Sequence, residues 1–155
     1  MRRKEREVKD INELIKIIDK CKVCRIAMQD KAGLYIVPMN FGYTYENNQL
    51  VLYFHSAKEG RKISALKENC DICFEMDCDH RLITGDKACK YTYSYKSIIG
   101  NGKVVFIDDP DEKKFALSVL MKHQTGQDFV FDDKMAEGVC VFKIMVQEFT
   151  GKYRT

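Results

Sequence analysis

The chain has 155 residues, of which 45% are hydrophobic and 32% charged, and its formal net charge is +3. That describes one globular domain with enough length for a real core, too apolar to be intrinsically disordered. So small a positive excess does not point to nucleic acid, and no apolar run is long enough to span a bilayer. Seven cysteines scattered through a regular core pattern point to reduced thiols in a cytoplasm rather than to a disulfide framework.

In chain order, Arg2-Arg3-Lys4-Glu5-Arg6 reads as a solvated tail, because no secretory apolar segment follows it. Asp10 with Glu13 has the spacing of a capping box, and Ile11, Leu14, Ile15 and Ile18 mark the buried face of a helix that ends at Lys20. Val23 to Asp30 is a predicted strand, closed by the turn Asp30-Lys31-Ala32-Gly33. A second strand runs from Leu34 to Tyr43, and Pro38 inside it implies an edge, a bulge or a backbone left open for a ligand. Glu46-Asn47-Asn48-Gln49 is a hairpin turn into a third strand, Leu50 to His55, apolar enough to be mostly buried. Short turns between the three predict an antiparallel meander.

The period then changes, with Ile63 and Leu66 on one side of a short helix. Asn69 breaks it, Asp71 to Asp77 returns as a strand, and polar Cys78 to Cys89 reads as a loop. Tyr91 to Ile107 is long for one strand, and Gly100 and Gly102 predict a bend or bulge in it. Asp109, Pro110 and Glu112 open another helix, with Phe115, Ala116, Val119 and Leu120 as its buried stripe and Thr125-Gly126 as its end. Val139 to Phe149 is the last strand. Six strands and three helices without regular βαβ alternation predict a mainly β fold, a closed antiparallel barrel with peripheral helices.

Chemistry concentrates where the third strand meets its helix. Ser56, Lys58, Gly60, Arg61 and Lys62 place a hydroxyl, a glycine and three cations at a helix start. Free N–H groups and the positive end of the helix dipole make such a start an anion site in outline. Arg61 has the bidentate geometry for phosphate oxygens and Lys62 is a mobile point charge. A solvated basic helix end would leave the same pattern. No Walker loop or GxGxxG is present.

His55, at the mouth of this site, is placed to hydrogen-bond a ligand or act as an acid, or else to be a core histidine. His80 falls in the polar loop, and His123 sits near a helix C-terminus, where a cation needs no chemistry to explain it. The pairs Cys21-x-x-Cys24 and Cys70-x-x-Cys73 have zinc spacing but lack the glycine of a metal knuckle, so no metal is expected. Tyr91, Tyr93 and Tyr95 share one sheet face, with Lys90 and Lys96 on the opposite parity. That arrangement suits a barrel wall or a subunit interface better than a base-stacking platform.

Several stretches in order resemble the pyridoxamine 5′-phosphate oxidase-like flavoproteins, and within them the nitroimidazole-resistance branch. They are Cys24 to Met28 (CRIAM), Tyr35 to Tyr43 (YIVPMNFGY), Leu52 to Lys62 (LYFHSAKEGRK), Gly85 to Cys89 (GDKAC), Ser97 to Gly102 (SIIGNG), Leu120 to His123 (LMKH) and Thr150 to Lys152 (TGK). The resemblance implies a six-stranded split barrel that forms a homodimer and binds FMN at the subunit interface. By position it places the flavin phosphate at Ser56, Arg61 and Lys62, with Lys58 also among the cofactor-binding residues, and the strand Val37, Pro38, Met39 and Asn40 along the ring. His55 would stand beside the ring and Ser97 would make a polar contact. It implies an oxidoreductase that takes electrons from reduced nicotinamide and passes them to a small molecule, such as a nitro compound. The alternative is a non-catalytic split barrel that holds flavin, or haem through His55. Relatives acting on pyridoxamine phosphate carry a C-terminal tryptophan and arginine motif. This chain has no tryptophan and ends Gly151-Lys152-Tyr153-Arg154-Thr155, which argues against a vitamin B6 substrate.

Overall fold

A computed structural model describes residues 3–155. Arg2 of the basic opening run lies outside the described residues. The run does not stay a free tail: Lys4–Arg6 forms a 3-10 turn, and β1 (Glu7–Val8) pairs with the C-terminal strand at Lys152 and Gly151. In α1 (Ile11–Lys20), the Asp10 carboxylate accepts from Asn12 N at 2.9 Å. The capping box is only half made, because Glu13 turns to Lys16 instead. Leu14, Ile17 and Ile18 are buried.

Two hairpins follow. β2 (Val23–Asp30) pairs with β3 (Gly33–Asn40), and β4 (Gly42–Glu46) pairs with β5 (Gln49–Ser56) across Asn47 and Asn48, whose φ angles of 49° and 62° suit the primed turn of a tight hairpin. The predicted strand from Leu34 to Tyr43 is therefore two strands, and the expected meander does not form. Phe41 alone separates them, fully buried, and β3 and β4 share no ladder.

Beyond α2 (Arg61–Glu68), β6 (Asp71–Ile83) continues six residues past the expected end at Asp77. Its far half, where a loop is expected, is an exposed polar ribbon through Asp79, His80 and Arg81 that pairs with the next strand across a register shift between Cys78 and Arg81. β7 (Thr92–Ile107) bulges between Asn101 and Gly102, as its glycines predicted. α3 (Pro110–Thr125) is capped by the Asp109 carboxylate accepting from Glu112 N at 2.8 Å and is closed by Gly126 at φ 74°. Its buried side is Ala116, Leu117 and Leu120, whereas Phe115 is 51% exposed. The short α4 (Asp133–Glu137), which the periodicity did not reveal, leads to β8 (Cys140–Arg154).

All eight strands belong to one antiparallel sheet in the order β3-β2-β6-β7-β8-β5-β4, with β1 on β8. The class is as predicted, and the barrel is split, as the resemblance implies, rather than closed; the described residues form two more strands than the expected six. Its two ends, β3 and β4, are neighbours in the chain and unpaired in space. The interior holds Ile26, Met28, Leu52, Phe54, Phe74, Met76 and Phe142, together with the apolar sides of α1 and α2. A second cluster lies outside β5 and β8, where Val51, Tyr53 and Val141 meet Ala116 and Leu117 of α3. β5 is thus apolar on both faces, which explains its unbroken hydrophobic run. No helix among the described residues is long and apolar enough to cross a membrane.

The split is sealed by α3. A Cβ on Gly42 would sit 2.5 Å from Leu120 Cα, so only glycine lets the helix backbone come this close. Gly42→Ala is expected to lower stability by about 1–3 kcal/mol through overpacking. Gly138→Ala, where the added carbon would meet nothing closer than 3.5 Å, should stay within roughly 0.5 kcal/mol of wild type. Urea unfolding of the two variants checks both values.

Candidate anion site at the start of α2

The β5 strand ends at Ser56, where the chain needs a sharp turn to start a helix. Gly60 makes that turn at φ 125°, a value side chains disfavour, and it caps α2 without any side-chain hydrogen bond. The first helical bond is Ser64 N to Gly60 O. The N–H groups of Arg61, Lys62 and Ile63 are therefore left over by helix geometry, at the positive end of the dipole.

Cations surround this end. Lys58 is exposed. Lys62 is half-buried and has no carboxylate partner among the described residues. Desolvation pulls its pKa below the usual lysine value, with the nearby Cys140 thiol acting the other way. Arg61 is already engaged: Nε donates to Asp30 Oδ2 at 2.8 Å and Nη2 to Asp30 Oδ1 at 3.1 Å, while the guanidinium carbon lies 4.4 Å from the centre of the Tyr35 ring. Ser56 faces Cys140 across the β5–β8 ladder, and its Oγ donates to Ala57 O at 2.8 Å, leaving the oxygen lone pairs free to accept. Sequence spacing gave no hint of Asp30 or Tyr35 here; only the β2–β3 hairpin carries them to α2.

His55 points away from Ser56, as strand alternation requires, and is exposed. Partial desolvation first, and the Lys62 charge second, hold its pKa below the usual histidine value. Both causes favour the neutral imidazole.

The remaining predicted residues lie in different settings. On β3, Val37 and Met39 face the interior while Pro38 and Asn40 face outward. β3 pairs only with β2, so Pro38 sits in an edge strand, one of the three expected settings. Asn40 is occupied at the seam, its Nδ2 donating to Lys22 O at 3.0 Å and to Gln124 Oε1 at 3.3 Å. Ser97 is remote within one chain. Ser56 pairs with Cys140 and Ser97 with Lys152, a dozen residues apart along β8, or roughly 40 Å of strand at about 3.3 Å per residue.

Two other places carry less chemistry. A cavity of about 770 Å³ lies at the end of α3 beside Tyr43 and His123. Its cations are spent, Lys122 on Asp128 at 2.7 Å and Lys22 on the backbone oxygens of Asp19 and His123. His123 is structural: its side chain is 4% exposed, Nε2 lies 2.8 Å from Cys21 O and its ring packs against Phe41 and Tyr43. The cysteine pairs do not converge, since Cys21 and Cys24 are buried and Cys70 and Cys73 exposed. No cluster of three or more metal-ligating side chains occurs among the described residues. His80 is exposed and bonds Asp77 at 2.9 Å.

Comparison with known proteins gives this geometry a context. Residues 10–153 match the family model described as pyridoxamine 5′-phosphate oxidase. A solved structure from Bacteroides thetaiotaomicron, provisionally described as a 5-nitroimidazole antibiotic resistance protein, is 36% identical, with 95% of this chain and 86% of that one covered and a TM-score of 0.81. A flavocytochrome from Azotobacter vinelandii (19% identity, 100% and 72% covered, TM-score 0.80) shares the fold. So does an FAD- and haem-binding protein from Mycobacterium smegmatis (14% identity, 96% and 73% covered, TM-score 0.81). No curated protein sequence matches the chain.

The coupling between His55 and Lys62 is open to direct test. In Lys62→Gln the His55 pKa should rise, but stay below the ordinary histidine value, because desolvation is the larger cause and remains. An NMR titration of the imidazole protons reads this. An unchanged pKa would show that the two side chains do not sense each other.

Proposed function

Because the chain belongs to the pyridoxamine 5′-phosphate oxidase family, we propose that it is an FMN-binding oxidoreductase whose acceptors are small nitro compounds. The observation that carries this reading is Lys62, half-buried and unpaired beside the uncapped first turn of α2. A phosphate group satisfies both the lysine and the free N–H groups. The residues present suit it: Ser56 Oγ accepts or donates, Lys58 reaches from the exposed side, and Arg61 keeps unused N–H groups. When bound, FMN would supply two-electron chemistry between reduced nicotinamide and the acceptor. The chain's own part is to hold the phosphate, to offer the free edge of β3 from Val37 to Met39 to the ring, and to place His55 beside the acceptor. As a neutral imidazole, His55 serves better as a hydrogen-bond donor than as a strong acid. The nitro-compound class is supported by the Bacteroides relative alone.

The reading includes a homodimer. α3 and α4 cover the outside of β4, β5 and β8. On the outside of β3 and β7, Leu34 is 85%, Ile36 60% and Ile99 53% exposed, with Pro38 beside them. A second copy over that face removes these apolar groups from water. It is also the route by which Ser97 can reach a flavin that starts at the other copy's α2. Seven free cysteines support a reducing, cytoplasmic setting.

Purified protein should take up FMN in preference to riboflavin. Lys62→Ala should weaken FMN by roughly ten- to a hundredfold while leaving riboflavin alone. Equal loss of both would mean the phosphate sits elsewhere. Under anaerobic conditions reduced nicotinamide should bleach the bound flavin; flavin that binds but never bleaches would favour the non-catalytic alternative. His55→Gln should slow nitro-compound reduction per bound flavin by about ten- to a thousandfold.

A further inference from the structure

Building on the reading of the start of α2 as the flavin-phosphate site, we propose that Asp30 is its positioning residue. Asp30 grips one edge of the Arg61 guanidinium and thereby aims the other edge at the phosphate.

Nothing in α2 itself explains an arginine at this position. A cation in the first turn lies at the wrong end of the dipole. The explanation lies across the barrel mouth in the β2–β3 hairpin. Asp30 closes β2 opposite Gly33, and its Oδ1 also accepts from Ala32 N at 2.8 Å, which fixes the carboxylate in the turn. Its side chain is only 13% exposed, and Arg61 holds its carboxyl below the usual carboxylate range, so it is ionised at neutral pH. Tyr35, from the same hairpin, lies under the flat side of the guanidinium. Two surfaces of one rigid hairpin therefore hold an otherwise flexible side chain.

The atoms used decide what is left. A guanidinium has five N–H donors in one plane. Asp30 takes the Nε–H and one N–H of Nη2. Both N–H groups of Nη1 and the second of Nη2 remain, and they form the edge that meets two oxygens of a phosphate side by side. Holding Arg61 in place before the phosphate arrives removes the ordering cost of a long side chain from the binding step. The Asp30 charge opposes the phosphate charge, but that repulsion is offset in part by the Arg61 guanidinium bonded to it. Positioning and repulsion have opposite signs, so an experiment separates them.

Asp30→Asn keeps an oxygen for Ala32 N but cannot accept from both Arg61 nitrogens. FMN affinity should fall roughly three- to tenfold and riboflavin affinity should not move. Added to Arg61→Ala, the change should have no further effect, because Asp30 acts only through that side chain. Tyr35→Leu, which leaves the turn intact, should show the same pattern more weakly and serves if Asp30→Asn unfolds. Flavin titrations of the wild type, the three single variants and the double variant, with melting temperatures as a folding check, read all of this. Unchanged or tighter FMN binding in Asp30→Asn would make Asp30 a competitor for Arg61, and equal loss of riboflavin, or additivity with Arg61→Ala, would make its role purely structural; each overturns the inference while the phosphate site stands. A wild type that binds no FMN overturns the site itself, and the inference with it.

Discussion

The structure depends on what happens at Phe41. There the chain leaves β3 and enters β4 without pairing the two, so a sheet that would otherwise close keeps two open edges. Unpaired backbone at such an edge must find partners or water. The end of α3, with Asn40 of β3, supplies them there and at the neighbouring junction of α1 and β2. Gln124 Nε2 donates to Phe41 O at 2.8 Å and to Lys22 O at 3.1 Å, Asn40 donates to the same Lys22 O, and His123 bonds Cys21 O. All this requires the α3 backbone to lie against Gly42. One glycine and three polar side chains thus hold α1, β2, β4 and α3 in a single arrangement.

The same split leaves room for function. Because β4 turns away to pair with β5, the far edge of β3 is never covered by another strand, and Pro38 costs no ladder bond there. β5 is buried as far as Phe54, and its last residues, His55 and Ser56, stay paired with Val141 and Cys140 of β8, so the turn into α2 starts from a laddered strand end. The site is assembled from the ends of rigid elements, with Gly60 taking the strained conformation that joins them.

Much of this was legible in the sequence because it is local. The Asp109 cap, the bulge at Gly102, the hairpin at Asn47-Asn48 and the boundaries of β2 each follow from a few adjacent residues, and the structure keeps them. What failed were readings that needed a partner. The stretch from Leu34 to Tyr43 has one continuous strand pattern, and only α3, some eighty residues later, breaks it at Phe41. Residues 78 to 83 looked like loop because an exposed ribbon has no apolar face to announce it. His123 looked like a surface cation because nothing nearby in sequence foretells Phe41, Tyr43 and the Cys21 carbonyl around it. In the site, the cations were visible and their counterparts were not. Arg61 reads as free until the hairpin brings Asp30 and Tyr35 to it.

The contrast between Arg61 and Lys62 is what favours the proposed anion site over a solvated helix end. In a solvated end both cations would project into water. Here Arg61, the more exposed, is tied down by a carboxylate and an aromatic ring, while Lys62, the more enclosed, has neither. Enclosing an unpaired ammonium at the positive end of a helix dipole is unfavourable, and desolvation accordingly lowers the Lys62 pKa, while the Lys62 charge adds to the desolvation that lowers that of His55. Folding alone gives no reason to keep it, since a glutamine there would remove the penalty. The proposed phosphate would give one: a bound dianion would relieve the lysine, the histidine and the free N–H groups together.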